Sequence, residues 1–244
     1  LLIEGPIQKG KSSYLFGGRS SYAHLFLALT DNENTAYFYD LNTKISYKID
    51  DDNTLLLSGY FGRDVFNLNE SFENIYGNSI LNLRWNHVVN DKVFSNLSMI
   101  YSDYYYGLNL GLAEFQYDSG IRNGNIKYGF NHFVNNDLTL NYGLQNTLYE
   151  FNPGVIKPTT PDSGVNEAVL TKKYAFESGL YLSAEHKISE DLRAEYGLRY
   201  SAFLRLGQDR LFTYDNDQAV IYNEQQGIYE SATPNDEINY KRSD

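Results

Sequence analysis

The sequence predicts an all-β protein built as an antiparallel up-and-down meander of about ten long strands. Three observations predict it. The composition is rich in rings, with 23 Tyr and 14 Phe against one Trp and one Met, a bias that suits pleated surfaces on which large side chains pack. Apolar and polar residues alternate over runs far longer than ordinary strands. The connections between these runs are short and long by turns.

The clearest run starts at Tyr37. One face carries Tyr37, Tyr39, Leu41, Thr43, Ile45, Tyr47 and Ile49, and the other carries Phe38, Asp40, Asn42, Lys44, Ser46 and Lys48. Near the other end Leu192, Ala194, Tyr196, Leu198, Tyr200 and Ala202 alternate with Arg193, Glu195, Gly197, Arg199 and Ser201. Globular strands run about five or six residues, whereas a tilted crossing of a bilayer takes roughly 9 to 11. Read in this way, the chain has strands near 1–8, 11–23, 35–49, 54–63, 77–89, 92–106, 122–134, 138–150, 172–188 and 191–206. In the fourth, TLLLSGYFGR, the pattern leaves the register open.

Tight connections fall at QKGK (8–11), DDDN (50–53), VND (89–91), NND (135–137) and ISED (188–191), all rich in turn formers. Long ones fall at about 24–34, 64–76, 107–121, 151–171 and from 207 onward. Strict alternation puts every short turn on one rim of the meander and every long loop on the other, as in bacterial outer-membrane barrels. The expected organisation is therefore 1–206 as barrel strands, with short periplasmic turns and long extracellular loops. Residues 207–244 form one more long extracellular loop, with a hairpin between LFTY and AVIY.

Charge and composition exclude several classes. A formal net charge of -11 argues against a nucleic-acid partner, which needs a basic face to displace counterions. The absence of cysteine excludes disulfides and thiolate metal sites. No run of 18 apolar residues is present, which removes a membrane-spanning helix but not a barrel, whose strands are greasy on one face only. The chain opens LLIEG without initiator Met or signal peptide, and is read as a piece of a longer protein.

Three similar phrases, WNHVVNDKVFS (85–95), FNHFVNNDLTL (130–140) and AEHKISEDLRA (184–194), each place a histidine ahead of a short turn. His87, His132 and His186 fall on the apolar faces, alternating with Trp85, Phe130 and Ala184. They are expected to form a band at the periplasmic membrane interface, where an amphipathic ring sits between lipid and water, rather than to converge on a catalytic centre.

EGPIQKGKSSYLFGGRSSY, YFYDLNTKISYKIDDDNTLLLSGYFGRD, WNHVVNDKVFSNLSMIYSDYYYG, and GLRYSAFLRLG followed by TYDND resemble the barrel of TonB-dependent outer-membrane receptors of the Bacteroidetes type, over nearly all of residues 1 to 240. The resemblance implies that the chain is part of the wall of a 22-stranded transmembrane barrel. It also implies an N-terminal plug domain in the full-length chain, contact with the TonB complex through that plug, energised uptake of a scarce nutrient of the siderophore, glycan or peptide class, a possible surface lipoprotein partner, and no enzymatic activity or cofactor. The ending KRSD, in place of a terminal aromatic strand, agrees with truncation.

With the apolar face turned to lipid, the inward positions carry Arg19, Lys44, Lys48, Arg84, Lys127, Lys173, Arg193, Arg199 and Arg205, against the acids Asp40, Glu177, Glu185 and Glu195. These basic residues are candidates for ligand or plug contact by charge complementarity; cross-strand charge pairing in a wet lumen is the plain alternative. Tyr104, Tyr105 and Tyr106 sit at the extracellular end of one strand as candidate interface aromatics, and those turned inward could stack on a ligand. YDNDQ (214–218) lacks the central glycine and terminal glutamate of an EF-hand loop.

Two rival readings remain. An outer-membrane barrel enzyme of protease or lipase type needs a histidine with paired acids on the extracellular rim, where only His24 lies, beside Asp31 and Glu33. A soluble β-sandwich acting in adhesion or carbohydrate binding would turn the apolar faces inward against a second sheet.

Overall fold

The computed structural model describes residues 1–22, 34–69, 71–207, 209–223 and 228–240. It is built from antiparallel strands with two single-turn 3₁₀ segments among the described residues. The strands are β1 (Leu2–Gln8), β2 (Ser12–Ser20), β3 (Thr35–Lys48), β4 (Asn53–Leu68), β5 (Phe72–Asn90), β6 (Val93–Leu110), β7 (Phe115–Phe133), β8 (Leu138–Pro158), the two-residue β9 (Ala168–Val169), β10 (Lys173–Lys187) and β11 (Arg193–Leu206). They form one 11-stranded sheet in sequential order, with β9 added to β8. The expected meander is the observed one.

The strands run further than their alternation suggested. β5, β7 and β8 have 19, 19 and 21 residues, about twice what a crossing needs. The long connections shrink accordingly. The stretch 64–76 closes as a turn after Leu68 with Asn69 at φ 45°, and 107–121 closes through a 3₁₀ turn at Gly111–Ala113 with Glu114 at φ 53°. Backbone pairing continues wherever two strands are already side by side, whatever the side-chain pattern, so the alternation does not mark the strand end.

The opposite rim explains the repeated phrase. In three of the short turns an Asp or Asn oxygen accepts hydrogen bonds from groups two and three residues on, and in a fourth a serine oxygen accepts from the amide two residues on. QKGK closes through the backbone, the Lys11 N–H donating to the Gln8 carbonyl at 3.0 Å. Asp50 Oδ1 accepts from the amide of Asp52 at 3.0 Å and from Asn53 Nδ2 at 2.8 Å. Asn90 Oδ1 accepts from the amides of Lys92 and Val93 at 2.9 and 3.0 Å, and Asn135 Oδ1 from those of Asp137 and Leu138, both at 2.9 Å. Ser189 Oγ accepts from the Asp191 amide at 3.3 Å. Successive turns are also chained together. The carbonyls of Asp52, Lys92 and Asp137 accept from the amides of Val88, Phe133 and Lys187, at 2.8, 2.8 and 2.7 Å.

Register assigns the faces. Lys44 pairs with Ser58 and Ile45 with Leu57, so in β4 the residues Leu55, Leu57, Gly59 and Phe61 join the apolar face and Leu56, Ser58 and Tyr60 the polar one. One apolar row then reads Tyr14, Ile45, Leu57, Leu83, Met99, Ile126, Asn146, Ser178. The sheet has almost no interior. Among the described residues only Val65, Ala175 and Ala184 are buried hydrophobics, while Leu81, Met99, Leu148, Leu180 and Leu198 are exposed on the apolar face.

Residues Arg205–Asp244 make a second compact unit. Within it β12 (Asp209–Thr213) pairs with β15 (Asp236–Tyr240), and β13 (Val220–Asn223) with β14 (Ile228–Ser231). The expected LFTY–AVIY hairpin is replaced by two nested pairings, because the 3₁₀ turn at Asp215–Asp217, with Asn216 at φ 54°, separates the two stretches and each finds its partner later in the chain.

Candidate functional site on the polar face

Cross-strand rows organise the polar face, and they place the candidate basic residues at different levels. Arg19 stands in a row with Asp40, Gly62, Asn78, Tyr104, Ile121, Phe151 and Lys173. Lys44 stands with Ser58, Asn82, Ile100, Asn125, Thr147 and Glu177. The next row toward the short turns holds Ser46, Leu56, Arg84, Ser98, Lys127, Gln145 and Gly179, and the one after it Lys48, Thr54, Asn86, Asn96, Gly129, Gly143 and Tyr181. Arg193 lines a polar recess of about 310 Å³ with Glu185, Lys187 and Glu195. Arg205 belongs to the smaller unit.

Their partners differ in kind. Arg19 Nε donates to Asp40 Oδ2 at 2.5 Å, and Asp40 is buried. Lys48 Nζ meets Asp51 of the adjacent turn at 2.5 Å. Arg84 instead donates to two neutral amides, to Asn86 Oδ1 at 2.9 Å and to Asn96 Oδ1. Lys127 Nζ lies 5.7 Å from the centre of the Tyr181 ring, within cation–π range. Arg199 Nε donates to Ser201 Oγ at 3.1 Å. Arg19 thus has a cross-strand charge partner and Lys48 one within its own turn, while Arg84, Lys127 and Arg199 rest on neutral groups.

Neutral polar side chains fill the space between. Asn125 Nδ2 donates to Thr147 Oγ1 at 2.6 Å, Asn123 Nδ2 to Ser102 Oγ at 2.7 Å, and Tyr149 Oη to Glu177 Oε2 at 3.0 Å. The buried Oδ1 atoms of Asn82 and Asn125 have no hydrogen-bond partner within the protein.

Asn86, Asn96, Tyr181 and Gly179 were not singled out from the sequence. The available signal was glycine inside long strands, at Gly129, Gly143 and Gly179, which marks close approach of another group. Tyr181 lies across the first two, its Oη 2.7 and 2.8 Å from where their Cβ atoms would stand.

On the apolar face, His87, His132 and His186 lie on β5, β7 and β10 with the parity expected. Asn53 Oδ1 accepts from both Trp85 Nε1 and His87 Nδ1 at 2.9 Å, and the two rings stack at 5.2 Å. Phe130 stacks on Tyr142 at 5.2 Å, with His132 edge-on to the same tyrosine at 6.5 Å. Toward the other rim Asp103, Arg122, Glu150 and Lys172 form an outward ion network, and Tyr105 Oη donates to Asp118 at 2.8 Å. Tyr104 and Tyr106 turn to the polar side, where Tyr106 meets Tyr117 edge-on at 6.3 Å. No group of three or more metal-ligating side chains occurs among the described residues, outside which His24, Asp31 and Glu33 lie.

No protein-family model matches the sequence, and no curated protein matches it. Solved structures do. The chain is similar to BauA, the ferric preacinetobactin receptor from Acinetobacter baumannii, with a TM-score of 0.61 at 10% identity over 83% of this chain and 38% of that one. It is equally similar to the copper transporter OprC, with a TM-score of 0.61 at 13% identity over 94% of this chain and 38% of that one. The chain therefore spans 38% of the length of each. The shared feature is the fold, a sequential antiparallel wall of long strands.

Proposed function

We propose that the chain is part of the wall of a TonB-dependent outer-membrane transporter of the Bacteroidetes type, which takes up a scarce nutrient and carries out no catalysis. The observation that carries this reading is a sheet with no core, one face apolar and exposed, the other polar and bearing cations. In water such a face is an aggregation hazard; in a bilayer it is the solvent-matched surface of a barrel. The fold shared with a receptor and a transporter supports the same reading, as do the phrases quoted from the sequence. The polar face is the side on which the plug and the nutrient, a siderophore, glycan or peptide, are met. The basic residues there are the candidate contacts, and the aromatic and histidine rings of the other face contact lipid at its interfaces. The plug carries the link to TonB, and a surface lipoprotein is the further partner for glycan or peptide cargo.

The test uses the whole protein in a Gram-negative host. It should fractionate with the outer membrane, and cargo uptake should stop when TonB is deleted while cargo binding to the cell surface persists. Uptake unaffected by loss of TonB, or recovery of the protein in the aqueous phase after detergent partition, would sink the proposal.

A further inference from the structure

We infer that the rim opposite the short turns carries, on the inward side of the sheet, a ring-lined wall that binds a neutral oligosaccharide, with Tyr76, Tyr104 and Tyr106 as contact residues. The inference rests on the transporter reading, on which this rim is the extracellular one, and it selects one of the cargo classes named there. The basic rows around Arg84 and Lys127 lie nearer the short turns and take no part in it.

The two faces of the sheet exchange character toward this rim. At mid-height the apolar face carries Leu57, Leu83 and Met99, and the inward face is polar. In the row nearest the rim the inward face carries Leu68, Phe72, Leu110, Phe115 and Pro158, and in the next row Ala36, Phe66, Asn74, Leu108, Tyr117 and Ile156. The outward row between those two reads Thr35, Asn67, Glu73, Asn109, Gln116 and Lys157. An outward row of this composition is matched to water and not to hydrocarbon. The apolar side chains at this height therefore face the lumen instead of lipid, and Phe38, Phe66, Tyr76 and Tyr104 are exposed there. Exposed rings on the inside of a wall mark a binding surface.

The chemistry of the wall selects its occupant. In the three inward rows nearest the rim the described residues include one acid, Asp64, and no Lys or Arg, so anionic cargo finds no partner. Phe38, Tyr76 and Tyr106 share the third row with Asp64, and Tyr104 stands one row further from the rim. Among the described residues, the hydroxyls of Tyr76, Tyr104 and Tyr106 and the side-chain amides of Asn74 and Asn78 make no hydrogen bond within the protein. Ring faces beside unengaged hydroxyls and amides match a sugar, whose C–H faces are apolar and whose hydroxyls surround the edge. A peptide is matched less well. The strands behind these rings are paired on both sides, so its backbone would meet no open sheet edge, and its amides would leave water without replacement.

The rings are held, and their spacing suits an extended ligand. Tyr117 Oη donates to the Pro153 carbonyl at 2.6 Å, and Tyr106 packs edge-on against Tyr117 at 6.3 Å. Arg19, already paired with Asp40, lies 5.7 Å from the centre of the Phe38 ring. Rings fixed before the ligand arrives lose little freedom on binding it. Strands lie about 4.8 Å apart, so the rings from β3 to β6 spread over roughly 14 Å, a reach that fits several linked sugars and not one.

Neutral linear hexasaccharides of glucose, mannose and xylose are the probes, with a neutral capped hexapeptide beside them. Titrated by calorimetry into the purified whole protein, in a detergent without a sugar headgroup, at least one sugar should bind. Its affinity should not change with added salt, because the ligand brings no charge to the contact. The combined Tyr76→Ala and Tyr104→Ala variant should bind it at least about tenfold more weakly, the loss expected for two stacked rings and their hydroxyls. The Tyr76→Phe and Tyr104→Phe variant keeps the rings and should fall between that variant and the wild type. Heat-modifiable gel mobility verifies that each variant has assembled as a barrel. Where the alanine pair does not assemble, Tyr76→Ala alone replaces it, with a loss of about threefold or more. No binding of any of the three sugars at millimolar concentration overturns the inference, as does equal binding by the alanine variant. A phenylalanine variant no better than the alanine one overturns it too, as does an affinity that falls with salt. Binding of the peptide in place of the sugars reassigns the wall to peptides. The transporter reading stands or falls separately: sugar binding that depends on the tyrosines, without TonB-dependent uptake of any cargo, would uphold the wall and remove transport.

Discussion

The guanidinium of Arg199 occupies the space that a side chain at Gly179 would fill, with Nη2 2.6 Å from the ideal Cβ position. Gly143 differs in kind, since a Cβ there would stand 2.3 Å from the backbone oxygen of Tyr128. A flexible side-chain tip can swing away, whereas a paired strand cannot. Gly179→Ala is therefore expected to leave barrel assembly nearly intact while displacing Arg199. Gly143→Ala should cost about 1–3 kcal/mol by overpacking. Heat-modifiability and urea unfolding of the two variants of the whole protein, side by side, provide the measurement. Equal losses from both would show that the two contacts do not differ in this way.

The short turns should be sensitive to their first residue. Asn135→Ala removes the acceptor of two backbone amides, those of Asp137 and Leu138. Each hydrogen bond contributes about 0.5–1.5 kcal/mol net, so the variant should unfold at measurably lower urea. Asn135→Asp keeps the acceptor and should restore most of the loss. No difference between the alanine and aspartate variants would assign the turn's stability to the backbone alone.

Asp50 confers a pH dependence. Its carboxylate accepts from Asn53 Nδ2 and from backbone amides of the turn, which hold its pKa below the ordinary aspartate value. A carboxylate with a depressed folded pKa contributes stability fully above the unfolded value of about 3.9, and that contribution fades as pH falls through the lower folded value. The denaturation midpoint of the wild type should therefore drop on acidification in this window, and Asp50→Asn, which keeps an acceptor oxygen, should reduce the drop. An unchanged acid profile in the asparagine variant counts against this role.

Adjacent residues of β11 should behave oppositely. Leu198 is on the apolar face and 85% exposed, and its neighbour Arg199 is on the polar face. Leu198→Arg puts a charge in hydrocarbon and should cost roughly 2–4 kcal/mol near the midplane, seen as a loss of assembled barrel in the membrane fraction. Arg199→Leu should assemble normally. A silent Leu198→Arg with a failed Arg199→Leu would reverse the faces of the whole sheet, because a one-residue slip exchanges every side chain.

Much of the fold was legible in the chain. The alternation from Tyr37 to Ile49 and from Leu192 to Ala202 determined which residues share a face, and DDDN, VND, NND and ISED determined where one rim turns. These are local properties: a strand's side chains alternate whatever lies beside it, and an Asx oxygen finds amides two and three residues away. The face of Leu56 against Leu57 was not local, since TLLLSGYFGR is apolar on both parities and only pairing with β3 separates them. The alignment of Arg84 with Lys127, and the reach of Arg199 over Gly179, lay further still from the sequence. Alternation encodes a face but carries no height along the strand. The height at which two residues meet is the sum of every turn length, bulge and backbone hydrogen bond between them, and only the assembled sheet performs that sum.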